Sequence, residues 1–438
     1  MTPENYWEEM QALYGRMGYT LSVDSQEKVG DTLVLNGFGY TAEFAQKVGD
    51  ETVTTTARAS VDRVEIAPID NPDYDLQMTM SETVSIEVGV SPGGKAEPVA
   101  IPFDIHIPGN RLLVGKDGER TVFDGSADAI DMTLTRFPAE PGGPKVDGKI
   151  ALEMKDIAYS GNYALGEDAD YDVKGTAASI SFGIHFKEKD QVFTVAVNYS
   201  DTAFDALGPF VNFTDAASMF AAGATILNMS AASSSAHIEI KDNRENLLIT
   251  STGGEGKLKV YMGRGQVDYS FEGNDSVYNI SGNALPLPPV KAELKRVGMR
   301  FAMPLIPMEE PGELAYELHL EGVTVSEEVW GMIDPGGALP RDPADIILVV
   351  ESKSKALVDL TNPEAMAQAA MMGPPFEFQD LRIKEVTLRL AGAEIHAEGS
   401  AVINNDGPMP VPVGGVDVEI NGVLGVIEKL QQIGLIPP

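Results

Sequence analysis

Ser179-Ile180-Ser181-Phe182-Gly183-Ile184, followed shortly by Val192-Phe193-Thr194-Val195-Ala196-Val197, places an apolar side chain at every second position. A β-strand sends successive side chains to opposite faces, so this period gives strands with one apolar and one wet face. The same alternation runs through Leu33–Phe38, Ser85–Val90, Pro102–Ile107, Asp131–Thr135 and Lys149–Met154. Glycine and asparagine punctuate the runs, and no long helix separates consecutive strands as a parallel α/β sheet would require. The expected class is mainly β (α+β): long, curved antiparallel sheet of β-meander type, with a few short helices packed on it or capping it.

Those helices carry their own signals. Thr2 can cap a first helix, Pro3 suits its first turn, and Trp7, Met10, Leu13, Tyr14 and Met17 follow helical spacing until Gly18. The stretch Asp201 to Asn228, with Phe204, Leu207, Phe210, Phe213, Met219 and Phe220, reads as a helical lid or plug, with Asp215 capping its second half. Further helices are expected over Glu327–Ile333 capped by Ser326, near Pro363–Met372, and over Val423–Ile433. Pro92-Gly93-Gly94 and Gly253-Gly254-Glu255-Gly256-Lys257 read as turns, the latter within a run of hairpins through Lys257–Tyr261, Gly265–Phe271 and Ser276–Ile280. The breaker Leu285-Pro286-Leu287-Pro288-Pro289 divides a first region, 1–284, from a second, 285–438, with one continuous sheet through both as the alternative. Ala231–Ser235 is a weaker mark.

Composition narrows the function. With 66 acidic and 32 basic side chains the formal net charge is −34, which repels nucleic-acid phosphates and anionic membranes. Without cysteine there are no disulfides, thiolate nucleophiles or thiolate zinc sites. No apolar run is long enough for a membrane-spanning helix. The five histidines, His106, His185, His237, His319 and His396, fall singly in expected strands with no pair at metal-ligand spacing. The glycine-rich run lacks the spacing and hydroxyl residue of a phosphate loop. Asp168, Asp170 and Asp172 alternate as in a calcium loop, but Val173 replaces its glycine and Ser179 its bidentate glutamate. They are weak calcium candidates beside the reading of a solvated turn, and Asp70–Asp75 fails in the same way. No catalytic residue and no cofactor is expected.

The stretch Gly322 to Ala344 contains Trp330, Asp334, Pro335, Gly336, Gly337, Pro340, Arg341 and Pro343. It reads as a strand, a capped helix, a proline-glycine stop and a second proline turn, with Arg341 in a turn ion pair and a ligand contact as the alternative. This segment resembles the signature of an uncharacterised alphaproteobacterial envelope family, domain-of-unknown-function family 2125. The helix with Trp7 followed by Gly18-Tyr19 is similar to the start of mature members, and Gly422 to Leu435 is similar to a helix late in the family, beyond which members continue. Members carry an export signal before the first helix, so the resemblance implies a mature periplasmic form whose signal has been removed, with the cytoplasm as the alternative. The family has no established active residues, and none is carried over.

Two functions follow as expectations. The first is a non-catalytic envelope protein holding or transferring a lipid-like apolar ligand in a β-sheet groove. The second is a scaffold that docks another envelope protein through sheet faces or edges. A hydrolase of unknown substrate stands third.

Overall fold

The computed structural model describes residues 1–48, 51–91, 99–135, 137, 147–214, 223–285, 287–372, 375–407, 410–434 and 436–437. It is 68% strand and 9% helix, and its strand pairings are antiparallel. Contacts divide it into two compact units, Met1–Met229 and Ser230–Pro438.

The first unit opens with α1 (Pro3–Arg16), where the Asn5 N–H donates to Thr2 Oγ1 at 3.2 Å. Gly18, at φ +88°, ends it in the left-handed conformation that glycine adopts without a Cβ penalty. Twelve strands follow: β1 (Thr20–Ser22), β2 (Ser25–Val29), β3 (Thr32–Val48), β4 (Glu51–Pro68), β5 (Leu76–Met80), β6 (Thr83–Ser91), β7 (Val99–His106), β8 (Arg111–Asp117), β9 (Arg120–Leu134), β10 (Asp147–Ala164), β11 (Asp170–Glu188) and β12 (Gln191–Pro209). β1 and β2 pair with β3, and β3 with β4. There the sheet forks. One end of β4 leads through β5 to β8 and the other through β6 to β7, and both branches rejoin at β9. β9 to β12 then pair in sequence order.

α1 lies over the early strands. Tyr6, Trp7 and Met10 pack against Leu33, Leu35, Val64, Ile66, Leu76 and Val114, and Trp7 meets Phe38 edge-to-face at 5.9 Å. Leu35, Ile66 and Leu76 are fully buried, each contributing roughly 1.5–3 kcal/mol relative to exposure.

The second unit contains most of β13 (Thr225–Lys241), then β14 (Asn246–Gly253), β15 (Gly256–Gly263), β16 (Gln266–Ser281), β17 (Val290–Pro304) and β18 (Gly312–Val325). After α2 (Glu327–Ile333) come β19 (Ala344–Ala356), α3 (Pro363–Met372), β20 (Phe376–Phe378), β21 (Asp380–Leu390), β22 (Ala393–Asn404), β23 (Val411–Asn421) and α4 (Val423–Gln432). Pairing runs β13–β14–β16–β17–β18–β19–β21–β22–β23, with β15 on β16 and β20 on β19. The proline-rich stretch 285–289 falls between β16 and β17, which are paired neighbours inside this unit.

Three local expectations change. The segment expected to be helical from Asp201 begins as strand: residues up to Pro209 complete β12, and Phe204, Ala206 and Gly208 pair with Gly175, Val173 and Tyr171 of β11. Cross-strand pairing outweighs the apolar spacing at 204, 207 and 210 that suggested a helix. The alanine-rich remainder at 215–222, with Asp215, Met219 and Phe220, lies outside the described residues, as does the Pro92-Gly93-Gly94 turn. Second, Gly254-Glu255 is not a hairpin turn. β14 and β15 pair in one continuing register with the same neighbour, β16, so the chain kinks there without reversing. Third, Ser326 occupies the N-cap position of α2, but its side chain makes no capping bond; the Lys291 N–H approaches its Oγ at 3.5 Å.

Candidate functional site

The apolar side of the second unit is built by register alone. Phe271 of β16, Met299 of β17, Leu318 of β18, Leu348 of β19 and Val386 of β21 stand side by side. The adjacent row is Tyr269, Phe301, Tyr316, Val350 and Ile383. Towards the sheet edge the face continues through Ala397 and Gly399 of β22 to Val418 and Val416 of β23.

The other face is polar. Arg300 reaches Asp268 (2.8 Å), Glu313 (3.0 Å) and Glu317 (3.0 Å), and Arg296 reaches Glu272 (3.1 Å) and Glu321 (2.8 Å). The hydrogen bonds that Arg300 donates to Asp268, Glu313 and Glu317 hold its guanidinium protonated. Pairs of this kind, within reach of solvent, contribute little stability singly, about 0–1 kcal/mol, but they fix which face meets water.

Among the described residues the apolar face is only partly covered. Met299, Phe301 and Tyr316 are each about two-fifths exposed, and Val418 and Ile420 are 54% and 61% exposed. Among the described residues both clusters of buried apolar side chains lie in the first unit, while the buried apolar residues of the second are chiefly alanines such as Ala302, Ala315 and Ala397. From strand spacing and the two-residue repeat, the two rows across seven strands span on the order of 450 Å². The largest apolar patch on a typical monomer is about 300–600 Å² and is often functional, and this face is of that size.

In the first unit the equivalent face carries a cover at one end. Met132, Leu152, Phe182 and Val197 form one row across β9 to β12, and Ile130, Met154, Ile180 and Tyr199 the next. Beyond that row the alternation shifts by one residue. Asp156 of β10 (φ +50°) and Asp201 of β12 (φ +49°) are left-handed, and Ile157 and Tyr159 follow on the side of Met154 and Ile180. A single left-handed residue moves the period as a β-bulge does, so the apolar face persists through the kink. On its far side α1 closes a cavity of about 390 Å³, lined by Met10, Leu13, Tyr14 and Met17 of the helix and by Phe123, Tyr159, Tyr163, Tyr171 and Val173 of the sheet. Phe210 and Phe213, expected to belong to a plug, do line it; Phe210 packs 5.2 Å from Tyr171 and 6.0 Å from Tyr163. Burial pushes the Tyr14 hydroxyl up to about 12, with Tyr40 and Tyr19 adding to the shift, and raises Tyr6 and Tyr163 further.

A second, polar cavity of about 730 Å³ shares Tyr171 and Phe210 with the first. Asp168, Asp170 and Asp172 line it beside Arg16 and Arg120, and Asp170 pairs with Arg120 at 2.7 Å. Among the described residues no three acidic or histidine side chains converge as a metal site. The histidines are dispersed on strands: His185 bonds Thr194, His396 bonds Thr387, and His319 lies among Arg296, Glu317 and Glu321.

The residues of the signature segment close a loop on itself. Asp334, fully buried, accepts the Leu339 N–H at 2.7 Å, and the backbone N–H groups of Leu339, Ala338 and Gly337 hold its carboxyl below the usual range. Pro335, Gly336 and Gly337 turn the chain, with Gly337 at φ +65°. Arg341 pairs with Glu327 and lies 5.8 Å over Trp330, while Pro340 sits against the β21–β22 turn and Pro343 precedes β19. Arg341 is thus a turn ion pair that also stacks on an aromatic ring.

Sequence reading did not find the cavity-lining tyrosines, Arg16 or Arg120. The available signal was the shift of alternation at Asp156, which places Tyr159 and Tyr163 on the same side as Leu152 and Met154. No family model, curated protein or solved structure matches this chain.

Proposed function

We propose that this chain is a non-catalytic protein of the bacterial cell envelope, periplasmic in its mature form, that holds a lipid-like ligand against the apolar faces of its sheet. The observation that carries this reading is the row structure of the second unit, where large apolar side chains fill one face and four of them, Phe271, Met299, Phe301 and Tyr316, remain more than a third exposed. A face of that kind costs solubility unless something apolar occupies it. The capped cavity of the first unit lies within the roughly 300–1,000 Å³ range of small-molecule sites and is lined by aromatic and methionine side chains suited to irregular apolar ligands. The compartment and the family rest on the resemblance of Gly322–Ala344, with its Trp330-Arg341 stack, to the envelope family.

The second reading, a scaffold that docks another envelope protein, is favoured by β23. Among the described residues this strand pairs on one side only, with β22, and is exposed along its whole length. Phenylnaphthylamine, an apolar dye that fluoresces when shielded from water, separates the two. Saturable binding to the purified chain, displaced by phospholipid, is the expected result; absence of binding contradicts lipid holding and leaves the scaffold reading.

A further inference from the structure

From the two adjoining cavities of the first unit we infer a built site for one phospholipid, with a headgroup that carries both a phosphate and an ammonium. The inference rests on the lipid-holding reading and names its ligand. The apolar cavity under α1 takes an acyl chain, and the polar cavity, which shares the Tyr171 and Phe210 walls, takes the head.

The charges around that polar cavity select the headgroup. Arg16 and Arg120 supply two positive charges, and Glu167, Asp168, Asp170 and Asp172 supply four negative ones. Asp170 already neutralises Arg120. Arg16 is different: its guanidinium donates to the backbone carbonyls of Gly166 and Glu167, which position it without cancelling its charge. It also stands in the last turn of α1, a helix end that stabilises cations. Arg16 therefore offers a held positive charge to a phosphate, and the remaining carboxylates Glu167, Asp168 and Asp172 offer negative charge to an ammonium. A purely anionic head would meet these carboxylates and a chain of net charge −34, so the zwitterion fits where the anion does not.

The probes are dipalmitoyl phosphatidylethanolamine and dipalmitoyl phosphatidylglycerol, offered singly in detergent to the whole chain and read by native mass spectrometry. Phenylnaphthylamine binding is read in parallel. The expected result is binding of the ethanolamine lipid about ten-fold tighter than the glycerol lipid, the size of one charge-assisted contact. Arg16→Ala, at an exposed position, should weaken both lipids about ten-fold and leave dye binding unchanged. The double substitution Asp168→Asn with Asp172→Asn should abolish the preference. Equal binding of the two lipids, or unchanged lipid binding in Arg16→Ala, overturns the headgroup site. If the dye still binds in that case, lipid holding survives; if neither lipids nor dye bind, both readings fall.

Discussion

Single residues decide where this sheet bends. Asp156, Asp201 and Asp275 adopt φ near +50° inside long strands, and Gly322 adopts +64°. Left-handed backbone costs most L-residues roughly 1–2 kcal/mol, whereas aspartate tolerates it through local hydrogen bonding and glycine adopts it freely. At Asp275, which is exposed, Gly should therefore be neutral to slightly stabilising, while Val should destabilise by about 1–2 kcal/mol. Urea denaturation of the two variants checks this, and equal stability would show that the left-handed conformation carries no constraint. These aspartates read simply as polar residues in the sequence. Their signal is a change of phase, from even-numbered apolar positions (Ile150, Leu152, Met154) to odd-numbered ones (Ile157, Tyr159, Tyr163), and it becomes visible only when alternation is followed through a whole strand.

At the scale of elements, α1 was legible because its cap, its proline and its apolar spacing agree, and its bounds follow from Thr2 and Gly18. The segment from Asp201 was not, because a partner strand distant in sequence, β11, fixes its conformation and local spacing cannot report that partner. The glycine run at 253–256 misled for a related reason. Glycine marks a kink as readily as a reversal, and only the shared register of β14 and β15 with β16 tells them apart. The seating of α1 gives a prediction in alkali. Tyr6 and Tyr14 belong to the helix and Tyr163 to the sheet beneath it, and burial raises all three above the ordinary tyrosine value of 10.0. A group whose folded pKa is raised stabilises the fold fully below the unfolded value and loses that contribution as pH rises towards the folded one. Between pH 10 and about 12, the value for Tyr14, α1 should lose its seat. Hydrogen exchange along that pH range, corrected for its intrinsic rate, should show protection falling first in residues 3–16 and the strands beneath them; uniform loss along the chain would contradict it.

For the whole molecule, composition already gave the acidic, cysteine-free and antiparallel β character, since alternation and net charge are properties of sequence alone. What it could not give is which apolar faces stay open. An alternating strand looks the same whether its apolar side is buried under a second layer or left in water, and only the cross-strand rows and their exposure separate the two. Among the described residues those rows are partly open in the second unit; in the first, one end lies under α1 and Phe210. If the open rows carry ligand, neighbouring residues of β17 report it, because they face opposite ways. A photoreactive benzoylphenylalanine is placed at Phe301, on the apolar face, or at Arg300, within the ion-pair face. After irradiation in envelope preparations and mass spectrometry of the purified chain, the expected result is an acyl-lipid adduct at 301 and none at 300. Equal adducts at both positions, or none at either, would contradict it.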